Sequence, residues 1–260
     1  MYVRPKKSLG QHFMRDASIC QRIADEIKCD HIFSQVLEVG PGTGALTKFL
    51  LQAKNYKTSV VELDGESVRY LEQHFPQLEN RIFSADFLNT PLENFIAEGS
   101  FAVVGNFPYY ISSQILFRVL DYRNRVPLVV GMFQKELAQR IASPPGPKEY
   151  GIISVLMQAF YKVEYLFTVD EDVFVPPPKV KSAVIRLIRN EIQQLACDEV
   201  DFKLIVKTSF NQRRKTLRNS LKSLIDSKQW RSIPDEIASR RPETLSMDEF
   251  VALTQHLVSA

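Results

Sequence analysis

Three cysteines among 260 residues, Cys20, Cys29 and Cys197, are too few and too scattered to build a disulfide framework or a zinc knuckle. The four histidines, at positions 12, 31, 74 and 256, have no metal-ligand spacing either. The expectation is metal-free chemistry in a reducing cytoplasm, with Cys20, Cys29 and the single tryptophan, Trp230, serving as packing residues. No window approaches the ~18 uninterrupted apolar residues that span a bilayer. The N-terminal stretch MYVRPKKSLGQHF is charged and has no apolar h-region of a signal peptide. Neither export nor membrane insertion is expected. Internal repeats and low-complexity tracts are missing too. So is a large excess of one charge, since 33 Lys and Arg against 30 Asp and Glu leave +3. Any nucleic-acid partner must therefore be argued from where the cations sit, not from their total.

What is present is an ordinary globular composition, 45% hydrophobic and 24% charged, enough for one domain with a substantial core and a smaller companion. Ile19, Ile23, Ala24 and Ile27 recur at helical spacing behind a candidate N-cap at Asp16 or Ser18, so a helix over 16–29 precedes the first strand. Val36 to Val39 is a short apolar run ending in Gly40-Pro41-Gly42-Thr43-Gly44, after which Leu46, Phe49, Leu50 and Ala53 resume helical spacing. Further strands are predicted over 58–62, 81–85, 101–105 and 128–133, alternating with helices over 66–75, 112–120 and 135–142. Such alternation implies an α/β fold, a parallel sheet with helices on both faces. The β-rich runs 161–169 and 182–189 flank Phe174-Val175-Pro176-Pro177-Pro178-Lys179, whose prolines are excluded from a central ladder. Those two runs are expected to pair at a sheet edge. Past Arg189 the β pattern ends, and amphipathic helices are predicted over 202–210, 216–225 and 248–257. The expected domains are 1–189, built on the sheet, and 190–260, small and all-helical.

Open parallel sheets bind ligands at the carboxyl ends of their strands, so the residues just after each predicted strand are the candidates for chemistry. Gly40-x-Gly42-x-x-Ala45 follows the first strand and fits a dinucleotide-type turn, whose glycines let the backbone approach an adenosine-bearing ligand. Glu62 closes the second strand at about the 20-residue offset where a carboxylate accepts hydrogen bonds from ribose hydroxyls. Asp86 follows the third, as either a turn cap or an acceptor for the amine of an adenine. A glycine turn alone would be only a turn. Three successive strand ends carrying Gly40, Glu62 and Asp86 point to an adenosine-binding cleft. They do not separate a nicotinamide cofactor from S-adenosylmethionine.

The fourth strand end separates them, because it runs into Asn106-Phe107-Pro108-Tyr109. The exocyclic amine of adenine is a poor nucleophile, its lone pair being delocalised into the ring. An Asn106 side-chain oxygen and a backbone carbonyl near Pro108 can accept both amine hydrogens and turn the nitrogen toward tetrahedral geometry. Tyr109 offers a face for stacking the base, an interaction worth ~1–3 kcal/mol. No general base stands out, so positioning is expected to supply most of the catalysis, with the proton leaving to solvent.

With these residues in view, the chain resembles the ribosomal RNA adenine dimethylase family over nearly its whole length. Five segments carry the resemblance: Ser8 to Phe13 (SLGQHF), Glu38 to Thr47 (EVGPGTGALT), Asn106 to Tyr109, Phe174 to Val184 (FVPPPKVKSAV) and Phe210 to Leu221 (FNQRRKTLRNSL). The resemblance implies a Rossmann-like class I methyltransferase sheet with a C-terminal helical domain and S-adenosylmethionine as methyl donor. It implies as target two adjacent adenines in a 3′-terminal hairpin loop of small-subunit (16S) rRNA, converted to N6,N6-dimethyladenosine in an assembling particle. It also implies that His12 and Met14 line the cofactor site with Gly40, Gly42, Glu62, Asp86 and Asn106. The chain departs from the family pattern at His12, where many bacterial relatives have Asn, at Phe107, where Leu is commoner, and at Tyr110, often Asn. None of these removes Asn106, Pro108 or Tyr109, the residues expected to be catalytic.

Arg214, Arg218 and Lys222 fall at i, i+4 and i+8, one stripe of a helix whose apolar face would be Phe210, Leu217, Leu221 and Leu224. Like charges so spaced repel, so an anionic partner is expected. Together with Arg213, Lys215 and the N-terminal Arg4, Lys6 and Lys7, they predict a phosphate-tracking surface. The expected partner is 16S rRNA in a small-subunit precursor, gripped by a monomer while an unpaired adenine is splayed against Tyr109, with Phe174 as a second apolar wall. Three alternatives stand beside this reading. They are a large-subunit rRNA methylase of the antibiotic-resistance type, a noncatalytic assembly or transcription factor on the same scaffold, and, more remotely, a nicotinamide dehydrogenase.

Overall fold

The computed structural model describes residues 3–28, 32–96 and 98–258. Cys29 and His31 lie outside them. In chain order the elements are β1 (Phe13–Met14), α1 (Ala17–Asp25), β2 (Gln35–Val39), α2 (Thr47–Leu50), β3 (Lys57–Glu62), α3 (Gly65–His74), β4 (Ile82–Ser84), β5 (Phe101–Asn106), α4 (Ser112–Asp121), β6 (Leu128–Gln134) and α5 (Lys135–Ala142). There follow α6 (Ile152–Gln158), β7 (Tyr161–Val169), β8 (Phe174–Val175), β9 (Ser182–Arg189), α7 (Glu199–Asn211), α8 (Leu217–Lys228), α9 (Asp235–Ala238) and α10 (Met247–Val258).

Seven strands form one sheet in the order β4-β3-β2-β5-β6-β9-β7. Its first five are mutually parallel, and β9 runs antiparallel to β6 from Leu128↔Ile188 to Gln134↔Ser182. The predicted edge pair, 161–169 with 182–189, is thus present as β7 beside β9. Parallel central strands are covered on both faces, which is why β2 and β5 read as apolar runs instead of alternating, with Glu38 the one charged residue inside β2. Val36, Leu37, Val103 and Val104 are all fully buried. The strand order reverses between β2 and β5, and the crevice at that reversal opens at their carboxyl ends, where an open α/β sheet takes its ligand.

Local chemistry sets the helix starts. Asp16 caps α1 by accepting from the Ser18 and Ile19 amides at 2.8 and 3.4 Å, and Asp198 caps α7 through Val200 and Asp201, both at 2.9 Å. The helix expected to run from Leu46 to Ala53 is shorter, because after Leu50 the chain tightens, the Gln52 and Ala53 amides reaching back only three residues to Phe49 and Leu50. Helix α6 gives no signal in the sequence, since Ile153 to Met157 are all buried and a helix that is apolar all round has no amphipathic period. The β1–β8 ladder gives none either. It pairs only Phe13 with Val175 and Met14 with Phe174, too short for any alternation to register.

The chain divides into two compact units, one of residues 1–138 and 163–189 and one of 139–162 and 190–260. This differs from a single cut after Arg189 in that 139–162, with α6, pack among the C-terminal helices. In that second unit Tyr150, Phe210 and Phe250 form a chain of ring contacts at 6.0 and 5.9 Å.

Candidate active site

The crevice of the first unit is lined by the turn after β2, the ends of β3 and β5, Ala85 to Phe87 after β4, and the segment Leu9 to Met14. Gly42 in the first turn has φ of +56°, and a Cβ there would lie 2.8 Å from the Phe13 ring, so only glycine fits beneath that aromatic cover. The Gly42 amide donates to Glu62 Oε2 at 2.9 Å, and the Asp64 amide donates to Glu62 Oε1 at 2.9 Å. Burial pushes the Glu62 carboxyl above its ordinary value, and these amide hydrogen bonds oppose the rise. Each oxygen keeps a lone pair for a further donor. Asp86 fulfils the turn-cap reading, its Oδ1 accepting from Leu88 at 2.8 Å and its Oδ2 from the Asn89 amide group at 2.6 Å, while also lining the crevice.

Sequence reasoning missed Glu38. It lines the same crevice from β2, fully buried, and accepts from the Thr47 hydroxyl at 2.6 Å. Burial, with the charge of Glu62 adding to it and the Thr47 hydrogen bond opposing it, pushes the Glu38 carboxyl up to about 8. The signal was available, since Glu38 is the charged residue inside an apolar run whose strand is covered on both faces.

At the end of β5 the chain turns because Phe107 goes inward. Its ring occupies the space above Gly131 of β6, where a Cβ would collide with it, and it packs on Phe133 with centroids 5.0 Å apart. That anchor leaves Asn106 and Tyr109 at the crevice. The Asn106 Nδ2 donates to the His12 carbonyl at 3.1 Å, which commits the donor half of the amide and leaves Oδ1 as the acceptor half. The Pro108 carbonyl accepts from the Ile111 amide at 3.2 Å. The Tyr109 hydroxyl meets Ser182 Oγ at 2.5 Å, and its ring lies near-parallel to His12, centroids 5.7 Å apart. His12 Nδ1 is 2.7 Å from the Pro176 carbonyl, an acceptor only, so the proton sits on Nδ1.

The segment that carries His12 is tied down at both ends. Its β1 residues pair with β8, and Lys6 and Gln11 reach Asp64, at 2.5 and 3.3 Å. Burial alone would raise the Asp64 carboxyl, but hydrogen bonds from Lys6, Gln11, Ser67 and the Glu66 amide hold it at about 2. Lys6 is thereby occupied by Asp64 and Glu66, which removes it from the predicted phosphate-tracking set. Phe174 also requires correction. It is 1% exposed, packed in the core with Met14, Val173 and Val184, and does not line the crevice. The ladder to Met14 turns it inward, so it presents no wall to a base.

In the second unit the predicted basic stripe divides. Helix α7 stops at Asn211 and α8 begins at Leu217, so Arg214 stands on the connecting turn and is not in helical register with Arg218 and Lys222. Arg213 is withdrawn altogether, its guanidinium bonded to the carbonyls of Pro147 and Lys148 and 3.8 Å from Glu243. Arg218 pairs with Asp235 at 3.1 Å on the surface. Arg214, Lys215 and Lys222 are exposed and have no ion-pair partner among the described residues. Among the described residues, too, no group of three His, Cys, Asp or Glu side chains is placed to hold a metal, and no helix is long and apolar enough to cross a membrane.

Comparison with known proteins fits this geometry. The model of the family described as ribosomal RNA adenine dimethylase matches residues 3–254. The chain belongs to this family. Among its relatives, the ribosomal RNA small subunit methyltransferase A of Phocaeicola vulgatus is 56% identical over 259 residues, 99% of this chain and 91% of that protein. The Porphyromonas gingivalis protein of the same name is 54% identical over 255 residues, 98% of each. In structure, the family fold recurs in a dimethyladenosine transferase from Plasmodium falciparum, with TM-score 0.75 and 24% identity over 93% of this chain and 96% of that one. It recurs in the 23S rRNA methyltransferase ErmE, with TM-score 0.65 and 23% identity over 94% and 99%.

Proposed function

We propose that this protein is an S-adenosylmethionine-dependent methyltransferase that dimethylates N6 of adenines in small-subunit rRNA. The observation that carries the reading is Asn106, which lines the crevice at the carboxyl end of β5 with Gly42 and Glu62, its Nδ2 held by the His12 carbonyl and its Oδ1 left as the acceptor. Identity above 50% with named small-subunit enzymes supports the choice of RNA.

The crevice fits the cofactor by its own chemistry. The left-handed glycine turn presents backbone instead of side chains to the crevice at Gly40 and Gly42, Glu62 has carboxylate lone pairs for ribose hydroxyls, and Asp86 has one for an adenine amine. His12, Met14, Gly40, Gly42, Glu62 and Asp86 would hold it. When bound, S-adenosylmethionine supplies a sulfonium methyl group for transfer. Tyr109 stacks the target base, Asn106 accepts a hydrogen from its amine, and a backbone carbonyl of the Phe107-Pro108 turn accepts the other. The nitrogen lone pair then points out of the ring plane. Fixing reactants ~3–3.5 Å apart accounts for the rate without a tuned base, and the proton passes to solvent. Arg214, Lys215, Arg218 and Lys222 are proposed to meet RNA phosphates. The finer target is two adjacent adenines in a 3′-terminal hairpin loop, presented by a small-subunit precursor in the cytoplasm to a monomeric enzyme.

The test is transfer of labelled methyl groups from S-adenosylmethionine to undermethylated small and large subunits supplied separately, with the product nucleoside identified by mass spectrometry. N6,N6-dimethyladenosine on the small subunit alone is expected. Label on the large subunit would assign the other rRNA, and cofactor binding without transfer to either would overturn the enzymatic reading.

A further inference from the structure

The segment 174–182 serves the crevice without lining it. It contributes the Pro176 carbonyl, 2.7 Å from His12 Nδ1, and the Ser182 hydroxyl, 2.5 Å from the Tyr109 phenol. Ser182 begins β9 opposite Gln134, at the sheet end where β5 delivers Asn106 and Tyr109. It is fully buried, and a buried hydroxyl needs a partner. The Tyr109 phenol is that partner. Tyr109 sits half-buried with the His12 ring beside it, so its ring has one support at the hydroxyl and one along its face.

We propose that Ser182 is a positioning residue for the methyl transfer, holding the Tyr109 ring by its hydroxyl so that the platform for the target adenine is set before RNA binds. This rests on the adenine-methylating function proposed above. Burial raises the phenol above its ordinary value, which keeps Tyr109 neutral and able to share a proton with Ser182 at any physiological pH. The bond acts on the orientation of the base through the Tyr109 hydroxyl, whereas the residues proposed to hold the cofactor lie at the ends of β2, β3 and β4 and in the segment before α1, His12 among them meeting the Tyr109 ring along its face and not at its hydroxyl. Removing either hydroxyl should therefore lower the rate of transfer and leave cofactor affinity unchanged.

The experiment is a double-mutant cycle on the full chain with Ser182→Ala, Tyr109→Phe and the pair. Single-turnover methylation of undermethylated small subunits is measured beside equilibrium binding of S-adenosylhomocysteine and thermal melting. Each single variant is expected to slow transfer about three- to tenfold, the factor for one lost hydrogen bond. The double variant should be no slower than the worse single, because both remove the same bond. Unchanged rates in Ser182→Ala, additive losses, or a fall in cofactor affinity that accounts for the rate would each overturn the proposal. Should the unmodified protein itself transfer nothing to small subunits, the proposed function fails first and the positioning role falls with it.

Discussion

The crevice and the basic stretch 210–222 are expected to be parts of one machine, and they are built in opposite ways. In the crevice nearly every expected residue already has a partner: Glu62 holds two amides, Asp86 caps its turn, Asn106 is pinned by His12 and Tyr109 by Ser182. In the basic stretch the cations sort into two kinds. Arg213 is bound into its own unit, while Arg214, Lys215, Lys222 and Arg218, the last paired on the surface with Asp235, stand exposed on the turn and on α8. Chemistry that depends on position demands committed side chains, and recognition of a phosphate chain demands uncommitted ones.

The comparison can be broken at the crevice first. Tyr109→Ala removes the proposed stacking face, and transfer should slow roughly 5- to 150-fold, the equivalent of ~1–3 kcal/mol. Equal rates in a single-turnover assay would take Tyr109 out of the base platform. Next, Gly131→Ala should destabilise the fold by about 1–3 kcal/mol, since a Cβ there collides with the Phe107 ring. Denaturant melting measures it, and a stability equal to that of the unmodified chain would show that Phe107 does not lock the turn.

The two kinds of cation give the sharper contrast. Arg213→Ala should lower stability by about 1 kcal/mol as its hydrogen bonds disappear, whereas Arg214→Ala with Lys222→Ala should leave melting unchanged. The pair should instead flatten the salt dependence of RNA binding, by ~0.7–0.9 in log–log slope for each phosphate no longer neutralised. A slope unaltered by the pair would remove these residues from the interface. A separate effect, read against pH, concerns Glu38. Because burial lifts its carboxyl to about 8 from 4.5, the folded chain keeps that proton to higher pH than the unfolded chain does. Stability is unaffected by it below about 4.5 and declines as pH rises toward about 8. Glu38→Gln, neutral throughout, should flatten that decline in melting curves taken across the window. A parallel decline in both proteins would show that Glu38 does not titrate there.

The same contrast explains what is legible in the sequence. Strand ends are legible because a both-face buried strand must be apolar and must stop where polar chemistry starts, so Gly40, Glu62, Asp86 and Asn106 announce themselves in order. Helical stripes are less secure. The i, i+4, i+8 spacing of Arg214, Arg218 and Lys222 fits one helix, yet the apolar periodicity, which ends one helix at 210 and starts the next at 216, is the better guide, since α7 ends at Asn211 and α8 begins at Leu217. Partners distant in sequence are invisible there: Arg213 with Pro147, Lys6 with Asp64 and Tyr109 with Ser182 are joined only by the fold. Phe174 shows the cost of reading a motif residue as a surface, since two ladder positions beside Met14 are enough to bury it.

The most direct measurement is single-turnover transfer by Asn106→Ala on undermethylated small subunits, beside equilibrium binding of cofactor and subunit to the same variant. Positioning of the adenine amine by Asn106 predicts binding close to that of the unmodified chain and a rate lower by about 100-fold or more. Normal turnover, or a loss of rate that simply follows a loss of binding, would contradict it.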